Sequence, residues 1–276
     1  QAVTNAIRNR APVTVKTHFN TDAYSAFQRL VRFGNAKIVG KPAFTYMDND
    51  DETSVRGLTL AFSFHNGVRK NFVEDIVFNF GKDGLINNVA FGLGKTTEDD
   101  ILAQSAYPEK MRKILVEFIQ NYQTAFALKR LDYISSIFDD DALIIVGNVV
   151  RKAGANISGD NYYLRSHPVI KYNRYSKDAY INRLKAIFGS QEYVNLRFNN
   201  SQVRKAANGG EIYGIQLEQD YYSSTYSDHG YLFLEINLNN PDEPLIMVRT
   251  WQPEPDKDFG IYDIDNFPIQ KFENIK

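Results

Sequence analysis

The residue types of a nucleophilic triad occur close together near the end of the chain. His229 follows Asp228, and Ser223 and Ser224 lie a few residues before it. In a triad the carboxylate must hold the imidazole in one orientation. Because adjacent residues on an extended chain point to opposite faces, Asp228 cannot orient His229 unless a turn intervenes. We therefore predict no catalytic residue from this motif.

Two further runs match the loops that bind calcium or phosphate only in part. Asp48–Glu52 lacks the central glycine and distal glutamate of the helical calcium hand, and we expect a solvated hairpin tip there. In Gly92–Thr97 the earlier glycine of a phosphate loop is missing, since Ala90 stands near its place, and no apolar helix is predicted from Lys95. His18, His65 and His167 lack metal-ligand spacing. We predict neither a metal nor a cofactor.

Composition restricts the classes of partner. The 32 Lys and Arg residues nearly balance 33 Asp and Glu residues, which leaves a net charge of −1 and no global attraction to a polyanion. Bases alternate with aromatic residues from Tyr162 to Lys177, and we interpret this patch as a local loop or a partner contact. No nucleic-acid partner is predicted. The apolar runs fall far short of the roughly 20 residues that cross a bilayer, so no transmembrane segment is predicted.

The start of the chain and its lack of cysteine bear on location. The sequence opens at Gln1 without an initiator methionine, as it would after removal of an export leader. A protein without cysteine also tolerates an oxidising compartment. We expect a periplasmic or cell-surface protein; a trimmed chain is the alternative explanation.

The elements that would position a site occur as two copies of one pattern. Four segments recur in the same order, with an offset of about 155 to 160 residues. The pairs are 22–34 with 178–189, 55–60 with 212–217, 76–80 with 234–238, and 85–91 with 245–251. We predict a partial α+β domain over 1–94, a linker over 95–109, and a full domain with a C-terminal tail over 110–276.

The second copy has the element order of an α+β fold. Its apolar residues between Met111 and Phe126 recur at the spacing of one face of a long helix that begins near Pro108. A shorter helix follows, then a buried strand over Ala142–Gly147 and a helix over 178–188. Four strands alternate apolar and polar residues as an antiparallel sheet does, at about 191–206, 211–223, 229–239 and 243–252.

Residues 110–253 resemble a known superfamily through Phe118–Ala125, Leu131–Phe138 and Asp141–Ile145. They are similar to the nuclear transport factor 2-like superfamily, the cone-shaped fold of ketosteroid isomerases, scytalone dehydratase and polyketide cyclases. The motifs over 224–233 and 248–253 resemble members from gut Bacteroidetes. The first copy resembles the sheet half of this fold. It is either a degenerate module whose sheet packs on its neighbour, or its missing half lies upstream.

Comparison of the two copies indicates a site on the inward face of the second sheet. At aligned positions of equal parity Gln219 replaces Phe62, and Arg249 replaces Val89. The resemblance implies a pocket between the concave sheet face and the first helix. The ligand-binding residues predicted to line it are Tyr122, Gln219, Tyr221, Arg249 and Trp251. In the alternative interpretation Arg249 is a core residue tied to Glu218, Glu235 or a backbone carbonyl.

These residues and elements leave three functions open. The first is a non-catalytic binding module of the cell envelope, in which the cone of the second domain holds an envelope protein partner or a small ligand. If the ligand is small, Arg249 favours an anionic one. The second is an enzyme of the isomerase, dehydratase or hydrolase type, which needs an acid or base near Arg249 or Tyr122. The third is a structural protein whose first sheet pairs with another chain, for instance as a homodimer.

Overall fold

The computed structural model describes residues 1–48, 52–65, 70–150, 169–207, 209–273 and 275. These residues form two α+β units, each built on its own sheet. Among the described residues, no helix combines the length and the apolar character needed to cross a bilayer.

The first unit places two helices on one face of a five-stranded antiparallel sheet. Its strands follow the order β1-β3-β4-β5, and β2 also pairs with β3. A 3-10 helix over Pro12–His18 joins the two helices. The elements are α1 (Ala2–Arg8), α2 (Thr21–Arg32), β1 (Lys37–Ile38), β2 (Thr45–Asp48), β3 (Glu52–Phe64), β4 (Lys70–Gly81) and β5 (Ile86–Phe91).

Helix α2 packs on the apolar face of the first sheet. The Asn20 side chain caps the helix by accepting a hydrogen bond from the Ala23 N–H at 2.8 Å. Phe27 and Leu30 are fully buried against the sheet, together with residues of α1. Ala127 and Leu128 of the second unit complete this core. The first sheet is therefore covered by its own helices and by part of its neighbour.

The second unit is a long helix packed on a curved six-stranded sheet. The strand order is β7-β6-β11-β10-β9-β8; β6 and β11 are parallel, and the other pairs are antiparallel. The helices are α3 (Lys95–Leu102), α4 (Glu109–Ala127), α5 (Leu131–Ser136), α6 (Lys177–Ser190) and α7 (Ile269–Glu273). The strands are β6 (Phe138–Val150), β7 (Val169–Tyr175), β8 (Val194–Lys205), β9 (Ile212–Ser223), β10 (Ser227–Asn237) and β11 (Leu245–Gln252). The predicted α+β cone, with a long helix packed on a sheet, is confirmed for this unit, but the sheet is mixed rather than purely antiparallel because β6 and β11 run parallel.

About half of the segment 95–109, which we predicted to be a linker, forms a helix. Helix α3 begins at Lys95, where no helix was expected, and its Ile101 is fully buried in the core of the second unit. The Thr97 hydroxyl donates to the Phe198 carbonyl at 2.9 Å. The sequence does not show this because only Thr97, Glu98 and Ile101 of α3 are buried, too few for an amphipathic pattern.

Helix α4 lies between the two units and is buried on more than one side. Leu115, Phe118 and Tyr122 face the second sheet, as the apolar stripe predicts. On another side Thr124 Oγ1 accepts a hydrogen bond at 2.7 Å from the N–H of Phe91, on edge strand β5 of the first sheet. The C-terminal tail covers the convex face of the second sheet with Tyr262 and Phe272. Both faces of this sheet are therefore occupied by the chain itself.

Candidate functional site

The second sheet places the four predicted strand residues on its concave face. In the register Arg249 lies opposite Ile144 and Leu234, whose side chains belong to the core under α4. Trp251 lies opposite Leu232, which belongs to the same core. Directly opposed residues share a face of a sheet, so both side chains point inward.

Gln219 and Tyr221 share this concave face. Gln219 lies opposite Phe198, and Tyr221 opposite Leu196; both partners belong to the core under α4. Gln219 is buried and Tyr221 is half-buried. The parity of residues along the strands therefore assigned the inward face correctly.

The predicted helix residue Tyr122 contacts the predicted arginine directly. Arg249 Nε donates a hydrogen bond to the Tyr122 hydroxyl at 3.1 Å. The Arg249 guanidinium carbon also lies 5.0 Å from the ring centroid of Tyr180 on α6, within the range of a cation–π contact. Tyr180 was not among the residues that we predicted to line the pocket. Two tyrosines from two helices thus hold the guanidinium against the sheet.

Arg249 is a buried charge without a carboxylate partner in the described part of the chain. Its side chain is 6% exposed, and no Asp or Glu oxygen of the described residues lies within the 4.0 Å of an ion pair. Glu218, one of the partners considered above, instead accepts a hydrogen bond from Asn200 at 2.7 Å. Nη1 of Arg249 is buried and has no hydrogen-bond partner among the residues that the structure describes. Burial of such a charge costs several kcal/mol unless an acceptor compensates it.

Three further buried polar atoms on the same face have no hydrogen-bond partner within the described ranges. They are Gln219 Oε1, Trp251 Nε1 and Asp228 Oδ1. The indole of Trp251 lies on Gly230, where a Cβ would come within 2.8 Å of the ring. Together with Arg249 Nη1, the concave face offers two donors and two acceptors that the protein does not satisfy. Native proteins leave few such groups, so each one requires an explanation.

Asp228 is a concave-face residue that we considered only as a triad partner. It lies opposite Tyr221, and burial raises the pKa of its carboxyl group, while a hydrogen bond from Tyr226 and the charge of Arg249 oppose the shift. The signal was present in the sequence, since 228 has the same parity along β10 as Leu232 and Leu234. Its neighbour His229 lies on the opposite face, where Nδ1 contacts Asp220 Oδ1 at 2.8 Å.

The other motifs do not assemble into a site in the described residues. In the acidic run, Asp48 accepts a hydrogen bond from Thr53 at 2.8 Å, and residues 49–51 lie outside the described residues. Lys95 Nζ pairs with Asp99 at 3.0 Å on the solvent side of α3. Tyr162 and Tyr163 of the basic aromatic patch also lie outside the described residues. Within the described ranges, no three His, Asp or Glu side chains are grouped as metal ligands.

A second cluster, absent from our sequence prediction, surrounds Glu117 between the two units. The Glu117 carboxylate accepts hydrogen bonds from Asn79 Nδ2 at 3.0 Å and Asn88 Nδ2 at 3.1 Å, and Asn121 is a third partner. Burial, followed by the charge of Glu52, raises the pKa of Glu117 to about 7, although the three amides oppose this shift. Strongly perturbed carboxyl groups are concentrated at functional sites.

A partial signal for this cluster exists in the sequence. Asparagine is depleted in strands, yet Asn79 and Asn88 stand in the segments 76–80 and 85–91, which align with predicted strands of the second copy, and the two residues are directly opposed in the register. Glu117 lies outside the apolar stripe of α4, so from sequence it is read as solvent-exposed. Its burial depends on the first sheet, which the helical pattern does not report.

Comparison with known proteins finds structural neighbours only. No family model matches the chain, and no curated protein matches it. Bd1075 of Bdellovibrio bacteriovorus matches with 13% identity and a TM-score of 0.39 over 54% of this chain, and the match covers 42% of that protein's chain. Naphthalene 1,2-dioxygenase matches with 9% identity and a TM-score of 0.40 over 54% of this chain and 81% of the other.

Nuclear transport factor 2 of Cryptosporidium parvum is a third match, with 8% identity and a TM-score of 0.37 over 52% of this chain and 94% of the other. Each match covers about half of the present chain. The solved structures that it resembles include nuclear transport factor 2-like folds, and its second unit has the α+β architecture of a long helix on a curved sheet.

Proposed function

We propose that this protein is a binding module whose second unit holds a small organic anion on the concave face of its sheet. The observation that carries the proposal is the buried Arg249 guanidinium, whose Nη1 has no partner and which has no carboxylate within ion-pair distance among the described residues. A carboxylate would accept from Nη1 and satisfy a charge that the fold otherwise buries at a cost.

The neighbouring groups favour a ligand with polar atoms besides its carboxylate. Trp251 Nε1 offers a second donor, while Gln219 Oε1 and Asp228 Oδ1 offer acceptors for a hydroxyl or amine of the ligand. Tyr122 and Tyr180 orient the guanidinium from the helical side, and Tyr221 lies at the more exposed end of the same face. A small hydroxy acid or amino acid has this combination of groups. In this proposal the first unit is a scaffold that supports α4.

The proposal includes a place in the cell envelope, where the ligand or an envelope protein would be met. A chain with no cysteine has no thiol to oxidise, so it is compatible with an oxidising compartment. Fractionation of the source cells, with detection of the protein by antibody, tests this part. Recovery in the cytoplasmic fraction alone would contradict it without affecting the anion site.

The anion site is tested with the chain's own reporter. Trp251 is the one tryptophan of the sequence, so its emission reports the concave face directly. We expect native mass spectrometry of the purified protein to show a bound small acid, and the released acid to change Trp251 emission on re-addition. Arg249→Met should abolish this response, whereas Arg8→Met, an exposed change on α1, should leave it intact. A response that survives Arg249→Met would refute the proposal.

Catalysis by the same face is the second candidate, and Asp228 is the observation that favours it. The raised pKa of Asp228 suits a general acid or base, and the charge of Arg249 lies close enough to oppose that rise. The native mass experiment separates the two functions. An acid recovered unchanged after long incubation supports a binding module, while a chemically altered one supports an enzyme of the isomerase or dehydratase type.

Assembly through the first sheet is the third candidate. Strand β2 lies at an edge of that sheet, and Tyr46 on it is 66% exposed. Exposed apolar edge strands are sites of pairing between chains. Light scattering over a range of concentrations tests this candidate: a dimer that Tyr46→Lys dissociates would support it, and a strict monomer would contradict it.

A further inference from the structure

The described residues enclose a large cleft between the two units, away from the concave face of the second sheet. It has a volume of about 1360 Å³ and is bounded by β3 and β4 of the first unit, by α3 and α4, and by the turn at 241–245. A smaller cavity of about 260 Å³ adjoins it. Both are lined by Glu52, Glu117, Asn121 and Tyr133, so Glu117 stands where they meet.

The charges that line the large cleft do not balance. Two of its three cationic side chains are engaged: Arg56 pairs with Glu98, and Lys113 pairs with Glu109 at 2.5 Å. Among the described lining residues this leaves Lys110 against five carboxyl groups, those of Asp48, Glu52, Glu117, Asp242 and Glu243. In the smaller cavity, Arg130 stands against Asp22, Glu52 and Glu117. The surplus is negative in both spaces.

Glu117 is half-buried, and the donors that contact its carboxylate among the described residues are uncharged. Its partners are three asparagine amides, and no cation among the described residues contributes to the position of its pKa. Arg130, which lines the smaller cavity, lies 5.1 Å from the ring centroid of Tyr133. Within the described part of the chain, the Glu117 carboxyl group therefore has hydrogen bonds but no counter-charge.

A second observation points into the same cleft. Gln120 lies one helical turn after Glu117 on α4, and residues three apart on a helix are neighbours. Gln120 is 3% exposed and lines the cleft, yet its Nε2 has no hydrogen-bond partner in the part of the chain that the structure describes. A ligand that reaches Glu117 can place an acceptor at this donor.

We propose that the cleft at Glu117 is a second binding site, which takes a small organic cation with a primary ammonium group and a hydroxyl or carbonyl oxygen. The ammonium group lies between Glu117 and Glu52, and the oxygen accepts from Gln120 Nε2. This ligand has the opposite charge to the one proposed for Arg249 and occupies a different part of the fold. The two proposals therefore stand or fall separately.

Binding at this site releases a proton near neutral pH. Without the cation, burial and the charge of Glu52 hold the pKa of Glu117 near 7, and an ammonium group beside it lowers that pKa. The titratable and charged groups that line these two spaces with Glu117 are Asp22 from α2, Asp48 from β2, Glu52 and Arg56 from β3, Glu98 from α3, Glu109, Lys110 and Lys113 from α4, Arg130 before α5, Tyr133 in α5, and Asp242 and Glu243 from the turn. Of these, Glu52 is the one whose charge raises the pKa of Glu117. Burial raises the pKa of Tyr133 well above neutrality, so Tyr133 stays uncharged.

The test uses 5-aminopentan-1-ol, with the uncharged 1,5-pentanediol as the matched probe. Carbon NMR of protein labelled at the glutamate carboxyl groups, in phosphate buffer, reports the ionisation of Glu117 directly. We expect the amine to bind at pH 8, to lower the apparent pKa of Glu117, and to bind roughly a hundredfold more weakly at pH 5, because an ionised carboxylate is required. The diol should do none of this.

Glu117→Gln should abolish binding of the amine, while Glu254→Gln, an exposed change in the C-terminal tail, should leave it unchanged. Equal binding of amine and diol would overturn the proposal, as would an affinity that does not vary with pH. A Glu117 resonance that does not respond to the amine in the unmodified protein would also overturn it. That last measurement needs no variant, so it holds even where Glu117→Gln folds poorly.

Discussion

Replacement of Glu117 by glutamine should change how the stability of the protein depends on pH. In the folded chain the pKa of Glu117 is about 7, against an ordinary value of 4.5. Below pH 4.5 the group is protonated in both the folded and the unfolded states, so it imposes no penalty. As the pH rises from 4.5 to 7, the unfolded chain loses the proton while the folded chain keeps it. Stability is therefore lost over this range.

The magnitude follows from the two pKa values. Their difference corresponds to roughly 3 kcal/mol at full effect. Glu117 faces a cleft, whose water screens part of this penalty, so we expect a loss of about 2–3 kcal/mol between pH 4.5 and 8. Glutamine resembles the protonated carboxyl group in shape and cannot ionise. Glu117→Gln should therefore match the parent protein near pH 4.5 and exceed its stability by about 2–3 kcal/mol at pH 8.

Urea unfolding at pH 4.5, 6 and 8, followed by Trp251 emission and circular dichroism, measures the difference. Burial also raises the pKa of Glu74, Asp75, Glu98 and Glu235, so the parent curve alone cannot isolate one group. The difference in free energy of unfolding between the parent and Glu117→Gln, followed over pH, isolates the contribution of Glu117. The free energy of unfolding of Glu254→Gln should vary with pH as that of the parent does. If the Glu117→Gln curve also ran parallel, the carboxyl group would not be protonated in the folded protein, and the reasoning would fail.

Two further predictions concern the concave face. Arg249→Met removes the hydrogen bond to Tyr122 and the contact with Tyr180, but it also removes a buried charge that has no carboxylate partner among the described residues. The free energy of unfolding should therefore change by about 1 kcal/mol, and calorimetry should give a Tm within about 4 °C of the parent. A fall in Tm of more than about 10 °C would show that the arginine stabilises the fold. Gly230→Ala places a Cβ 2.4 Å from the Gln252 carbonyl oxygen and 2.8 Å from the Trp251 ring, which should cost about 1–3 kcal/mol and alter Trp251 emission. Gly189→Ala, with no atom within 4 Å of the new Cβ, should change neither, and equal behaviour of the two variants would contradict the close approach at Gly230.

The predicted elements of the second unit were right because each one repeats a local pattern. Helix α4 follows its apolar stripe, and strands β8 to β11 lie within a few residues of their predicted bounds. Parity then placed Gln219, Tyr221, Arg249 and Trp251 on one face, since side chains alternate along any strand whatever packs on it. Their role in ligand binding stays a prediction.

The sequence could not show what depends on contacts between distant segments. Local periodicity determined the second unit's long helix and sheet, and therefore which residues point into its cone. Tertiary structure decided that α3 is folded, that Tyr180 joins Tyr122 at the guanidinium, and that the C-terminal tail covers the convex face. It also decided the setting of Glu117. The apolar pattern of a helix indicates one buried face, whereas α4 packs against two sheets. Contact with the first sheet places the Glu117 carboxyl group beside Asn79 and Asn88, which lie some 40 and 30 residues away in the chain.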